Sequence, residues 1–225
     1  VGYFYGYKSA GIFQNQAQID AYQGAKLNGA ATQPGDVIWV DTNGDGAIDA
    51  NDRTDLGSPQ PKVTMGVSFS VSWKAIDFSV NGYAALGHKI MKCYRDFSAS
   101  PLMNFTSDIF ERWHGEGTSN FLPRLSSASS SNWNRVSDIY VENGDYFKIK
   151  NLTIGFDFKK QFAKIPFEQL RVYASVQNLY TFTGYSGMDP EIGFGGEDAG
   201  SYAQGIDLGF YPSSRNILFG VNIKY

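Results

Sequence analysis

The sequence predicts an all-β chain of about six antiparallel strands in a meander, and three observations carry that reading. Runs of alternating apolar and polar residues recur along the chain. The connections between those runs alternate between short and long. Helical patterning is confined to two short stretches, 13–22 and 104–113.

Taken in order, the run from Tyr3 to Lys8 reads as a short opening strand. The clearest period follows, with Val63, Met65, Val67, Phe69, Val71 and Trp73 alternating against Thr64, Gly66, Ser68, Ser70 and Ser72. After Lys74-Ala75 the alternation resumes at Ile76, Phe78, Val80, Gly82, Ala84 and Leu86, which is the pattern of a hairpin with a tight turn. Three more tracks run through Leu152, Ile154, Phe156 and Phe158, through Leu170, Val172, Ala174 and Val176, and through Ile217, Phe219, Val221, Ile223 and Tyr225. The successive gaps are roughly fifty, two, fifty, ten and thirty residues, short on one side of the meander and long on the other. Ser126 to Ser131 is a low-complexity loop, and Gly193-Phe194-Gly195-Gly196 lacks the strand-to-helix setting of a phosphate loop.

Strands of this length suit a tilted crossing of a bilayer, which takes about 9–11 residues. Aromatics make up 16 % of the chain, yet its mean hydropathy is −0.29. A transmembrane β-barrel reconciles the two figures, because only alternate residues face lipid while the lumen face and the outer loops are polar. Trp73, Phe78, Phe158 and Tyr225 lie on the apolar track beside a short turn or the terminus, as an interfacial girdle would. That arrangement puts the short turns in the periplasm and the long loops outside the cell. The alternative is a soluble, secreted calcium-binding β-module that holds glycans and buries Val67, Phe69, Val71 and Val80, the residues a barrel turns outward.

The net charge of −3 gives no case for a nucleic-acid partner. One cysteine, Cys93, cannot form an internal disulfide, and two histidines, His88 and His114, are too few for most metal or triad chemistry. No apolar run approaches the roughly 18 residues of a membrane helix. Val1 to Tyr5 has no charged start with an apolar core behind it, so any targeting signal is expected outside these residues. Asp189 and Glu191, two apart around Pro190, would be the acid/base pair of a hydrolase reading, but Pro190 marks a turn and no apolar pocket is evident. The chain is read as a non-enzyme.

Asp41 to Asp52 follows the spacing of a calcium loop. A hard cation takes oxygen ligands, and the pattern offers the side chains of Asp41, Asn43, Asp45, Asp49 and Asp52 with the backbone carbonyl of Ala47. Gly46 stands where such a loop turns sharply. Asp52 replaces the usual bidentate glutamate, and the lead-in Asp36 to Val40 reads as strand, so the pattern points to structural calcium in an insertion over 36–56 rather than to a regulatory helix pair. A metal-free turn rich in Asn, Asp and Gly would carry a similar composition.

Several further segments share one order with a known family. These are Pro34-Gly35-Asp36-Val37, Asp55 to Lys62, Val141 to Leu152, Gln177-Asn178-Leu179-Tyr180, Gly187 to Glu191 and Tyr211 to Arg215. Together they resemble the C-terminal barrel region of SusC/RagA-type TonB-dependent outer-membrane transporters, over almost all of residues 1–225. The resemblance implies a 22-stranded barrel with an N-terminal plug, a SusD-like surface lipoprotein as lid, and energy from the TonB complex at the inner membrane. It implies import of glycans or peptides without covalent chemistry. About six crossings cannot close a barrel, so the strand at Tyr3 to Lys8 is expected to pair with an upstream strand and the strand at Asn216 to Tyr225 with the barrel's first.

Overall fold

The computed structural model describes residues 2–95, 104–125, 132–191 and 204–225. In chain order the strands are β1 (Phe4–Gly6), β2 (Ser9–Ile12), β3 (Val37–Trp39), β4 (Thr54–Gly57), β5 (Val63–Trp73), β6 (Ile76–Leu86), β7 (Lys89–Lys92), β8 (Val141–Asn143), β9 (Tyr146–Asp157), β10 (Gln169–Thr183), β11 (Ile206–Asp207) and β12 (Asn216–Lys224). Two α-helical pieces, α1 (Gln16–Ala21) and α2 (Phe158–Gln161), accompany short 3-10 turns. The chain forms two interleaved compact units: residues 1–60, 89–142 and 192–209 make one, and residues 61–88, 143–191 and 210–225 make the other.

The second unit is one antiparallel sheet in the order β12-β10-β9-β6-β5. Its register joins the alternating tracks into rows. Phe69, Val80, Leu152, Val176 and Ile217 are paired across the five strands, and so are Val71, Phe78, Ile154, Ala174 and Phe219. The opposite face carries the row Ser68, Asn81, Asn151, Gln177 and Asn216. Period-two alternation therefore makes a sheet with one continuous apolar face and one polar face. The β5–β6 turn is Lys74-Ala75, with Lys74 at φ +53.

A bulge interrupts β9. Asn151 pairs with Asn81 and Gln177, but the next pairs join Ile149 to Gly82 and to Tyr180, so Lys150 has no partner of its own on either side. An unpaired residue reverses the alternation beyond it. Before the bulge Phe147 and Ile149 continue the apolar face, with the Phe147 ring stacked 6.1 Å from Phe182, and Lys148 falls on the polar one. Asn178, at φ +51, lies in the irregular stretch of β10 opposite and donates from its side chain to the Ser214 carbonyl at 2.9 Å.

The first unit packs short ribbons, β1 with β4, β2 with β3, and β11-β7-β8, around Phe4, Tyr7, Trp39, Leu122, Trp133 and Ile139. Here the structure corrects the expected opening crossing. Only Phe4–Gly6 is strand, and it pairs with Thr54–Gly57 inside this unit rather than entering the large sheet. Three residues rise only about 10 Å, well short of a crossing. Phe4 and Tyr7 are buried in the unit's core, and a Cβ on Gly6 would collide with the Val136 carbonyl, which Tyr7 N–H approaches at 2.9 Å. Strand limits also move: β9 begins at Tyr146, six residues before the expected track, and Phe158 opens α2. Of the two helical stretches, the first forms α1, capped by Asn15 accepting from Gln18 N–H, and the second only a 3-10 turn at Ser107–Glu111. The Ser126 to Ser131 and Gly193 to Gly196 segments lie outside the described residues.

Candidate functional site

In the second unit the apolar face is exposed along its length. Val67, Phe69, Val71, Ile154, Val172, Phe219 and Val221 are exposed, and Val80 is half-buried between its neighbours. Trp73 and Tyr225 stand out at 65 % and 86 %, with Lys74 over the Trp73 ring at 4.7 Å and Phe167 edge-on to Tyr225. Such a face needs a cover, and a bilayer supplies one.

The polar face is tied by side chains that reach across strands. Arg171 on β10 passes over β9 to grip Asp77 on β6, with Nε at 2.8 Å and Nη2 at 2.6 Å from the two carboxylate oxygens. Gly155 lies beneath this bridge, and a Cβ there would sit 2.5 Å from both Arg171 Nη2 and Asp77 Oδ1. The two-pronged geometry suits a guanidinium and fixes orientation as well as charge. One level on, Ser175 Oγ donates to Asn151 Oδ1 at 2.8 Å and accepts from Thr153 Oγ1 at 2.8 Å.

At the far end of β9 sits a cluster that the sequence reading did not assemble. The bulge turns Lys148 onto the polar face, where only 2 % of it is exposed, and Nζ donates to Asp189 Oδ2 at 3.0 Å and Glu191 Oε2 at 2.9 Å. Lys150 also pairs with Glu191, and Ser213 N–H reaches Asp189 at 3.3 Å. Burial alone would raise the Glu191 carboxyl, but hydrogen bonds from Lys150 and Lys148 outweigh it and hold it below the usual carboxylate range. Glu191, committed to two lysines, is not placed to serve as the raised-pKa acid of a hydrolase pair. The signal was present as matched spacing, Lys148 and Lys150 two apart against Asp189 and Glu191 two apart.

In the first unit, the residues of Asp41 to Asp52 divide into two sets. Asp41 accepts from Gly44 N–H at 2.7 Å and Gly46 N–H at 2.8 Å, while Asn43 and Asp45 accept from the amides of Asp45 and Ala47. Gly44 and Gly46 hold φ of +75 and +84, which lets those amides turn inward. Asp49 caps the 3-10 turn Ala50–Asp52 in a reciprocal box with Asp52. Asp52 is fully buried, and its carboxylate accepts from Thr42 N–H at 2.8 Å and Asp49 N–H at 2.7 Å. Burial pushes its carboxyl up, but backbone hydrogen bonds from Asp49, Thr42 and Asn43 and a contact with Asp41 prevail and lower it. Asp41 and Asp52 are thus brought together, whereas Asp49 points into its own turn. Among the described residues no group of three His, Cys, Asp or Glu side chains converges, and none of the four loop aspartates forms an ion pair.

Elsewhere in that unit, Asp36 is buried and accepts from Arg124 Nε at 2.8 Å and Asn132 Nδ2 at 2.9 Å. Asp108 joins Lys92 at 2.7 Å to Arg95 at 3.0 Å, and Arg95 also pairs with Glu142. Burial raises the Asp108 carboxyl and the two cations lower it, with the cations prevailing. His88, in the second unit, is buried edge-on to Tyr146, and burial pushes its imidazole down against the pull of Asp145. His114 is exposed in a loop and Cys93 is a free, half-buried thiol.

No protein-family model matches the chain. Among curated proteins it is similar to a TonB-dependent receptor of Formosa agariphila, 30 % identical over 228 residues that cover 100 % of this chain and 22 % of the receptor. It is also similar to the TonB-dependent receptor SusC of Bacteroides thetaiotaomicron, 28 % identical over 195 residues, covering 86 % of this chain and 18 % of SusC. The chain thus spans about a fifth of the length of the relatives it matches. Among solved structures it resembles the RagAB peptide importer in its open-open state, with a TM-score of 0.69 at 20 % identity over 99 % of this chain and 22 % of that one. A closed-closed state of RagAB gives a TM-score of 0.68 at 22 % identity, over 98 % of this chain and 23 % of that one.

Proposed function

This chain is barrel sequence of the SusC/RagA type of TonB-dependent outer-membrane receptor, and on that premise we propose that its protein imports glycans or peptides, energised from the inner membrane. The observation that carries the reading is the two-faced sheet. Five strands place apolar rows on one side, and on the other a lattice of Arg171–Asp77 and Lys148–Asp189–Glu191 contacts suited to the wall of a polar lumen. Such a wall binds and guides without reacting. A SusD-like surface lipoprotein is the partner proposed for the outer side, the TonB complex for the inner side, and residues beyond this chain for the plug and the remaining strands. RagAB, a peptide importer, supports a peptide cargo, and SusC supports the partnership as a type.

Deleting the gene should abolish growth on the cognate nutrient while leaving growth on its monomers intact, and the protein should stay in the membrane pellet until detergent is added. Extraction into plain buffer would sink the membrane reading in favour of a secreted β-module. For the loop at Asp41 to Asp52 the proposal is structural calcium, supported by four aspartates without an ion-pair partner among the described residues. The side chains of Asp41, Asn43, Asp45 and Asp52 and the Ala47 carbonyl would hold the ion, with Asp49 turning in from its cap.

A further inference from the structure

In the first unit, a pocket of about 380 Å³ is lined by Tyr5, Tyr7, Arg53, Asn134, Arg135 and Val136. Tyr5, in β1, and Tyr7, just beyond it, both contribute to its wall. Each ring carries a guanidinium: Arg135 stands 4.9 Å from the Tyr7 centroid and Arg53 5.8 Å from that of Tyr5. Neither arginine forms an ion pair among the described residues. Arg53 spends its Nε on the Ala50 carbonyl at 3.1 Å, and Arg135 Nε is buried with no acceptor. An orphaned buried donor is costly, and an oxyanion would satisfy it while pairing with both guanidiniums.

A second pocket, also about 380 Å³, shares the Asn134–Val136 segment with the first and is bounded by Met91, Cys93, Trp133 and Tyr140. Its lining is mainly apolar. Because the two pockets share Asn134, Arg135 and Val136, a ligand that serves both carries an oxyanion beside an apolar group. We propose that the two pockets together bind the C-terminal residue of a peptide, its α-carboxylate between Arg135 and Arg53 and its apolar side chain against Met91, Trp133 and Tyr140. Sugar acids fit less well, because the guanidiniums already cover the Tyr5 and Tyr7 faces on which a sugar ring would stack. The proposal rests on the importer reading and deepens it by naming the cargo's recognised end.

The test uses the full-length protein in detergent and fluorescein-labelled glycyl-glycyl-leucine, compared with its C-terminal amide and with labelled oligoglucuronate. Fluorescence anisotropy should show the free acid binding about tenfold or more tightly than the amide, the worth of charge-assisted hydrogen bonds. Arg135→Gln should weaken the acid and bring it level with the amide, and Arg135→Lys should recover only part of the difference, since lysine lacks the fork. Thermal unfolding of both variants keeps loss of binding apart from loss of fold. Equal binding of acid and amide to the parent protein, no binding of either, discrimination that survives Arg135→Gln, or preference for oligoglucuronate would each overturn the proposal. Absent nutrient uptake in cells alongside intact acid-over-amide selectivity would instead count against the importer reading alone.

Discussion

Replacing both Asp189 and Glu191 by their amides would strand the ammonium of Lys148, which is 2 % exposed and has those two carboxylates as its hydrogen-bond partners at 3.0 and 2.9 Å. Asp189→Asn alone leaves Glu191 in place and should cost about 1–3 kcal/mol, the loss of one charged hydrogen bond. The double variant leaves a buried charge uncompensated and should cost about 3–5 kcal/mol. Lys150, whose side chain is 37 % exposed, adds little because water replaces its partner. Adding Lys148→Met to the double variant should recover most of the loss, since an apolar side chain tolerates the site once the charge is gone. Urea titration of the protein in lipid–detergent micelles at neutral pH, followed by tryptophan fluorescence, gives the ordering. A double variant within about 0.5 kcal/mol of the parent, the range of ordinary surface substitutions, would refute the argument from burial.

The same cluster sets a pH dependence: Glu191 is held below its unfolded value of 4.5, so its contribution is complete above that pH and is lost as pH falls through the folded value. Acid titration of the parent should show this loss and the double amide variant should not. Gly155→Ala should push the Arg171–Asp77 bridge apart and cost about 1–3 kcal/mol, with no further loss when Asp77→Ala is added; additive losses would mean that Gly155 acts otherwise. Val67→Arg should cost about 2–4 kcal/mol in a bilayer whereas Ser68→Arg on the opposite face costs far less, and a reversed order in refolding into liposomes would put the polar face toward lipid. Calcium should protect the Asp41–Asp52 loop from limited proteolysis and Asp45→Ala should remove that protection, while protection unchanged by chelator would leave the loop a metal-free turn.

The strands of the large sheet were legible because each buries or exposes one face, so the period in Val63 to Leu86 survives folding unchanged. Tyr3 to Lys8 misled for a physical reason: alternation over so few residues also describes a chain crossing a small core, and only the close approach at Gly6 decides between the two. The Asp41–Asp52 spacing was visible, but its division into a cup and a capping turn depends on which amides each carboxylate meets. Asp189 and Glu191 could be named from sequence, yet their partners lie some forty residues away on a strand whose phase the bulge had reversed. Arg135 and Arg53 carried no motif, because what sets them apart is the lack of an ion-pair partner among the described residues.

That bulge makes β9 tolerant of one kind of change and intolerant of another. Because Lys150 takes no partner, deleting it would let β9 pair without a break and leave Phe147, Lys148 and Ile149 on the faces they now hold. Drawing Lys150 into the ladder without shortening the strand would do the opposite, sending the Lys148 amine toward the lipid and Phe147 and Ile149 toward the polar side. A one-residue gap in a relative at this point would therefore mark a strand that has lost its bulge and kept its inner charge, whereas an unbroken pairing at the present length would mark a wall whose inner charge has been rebuilt.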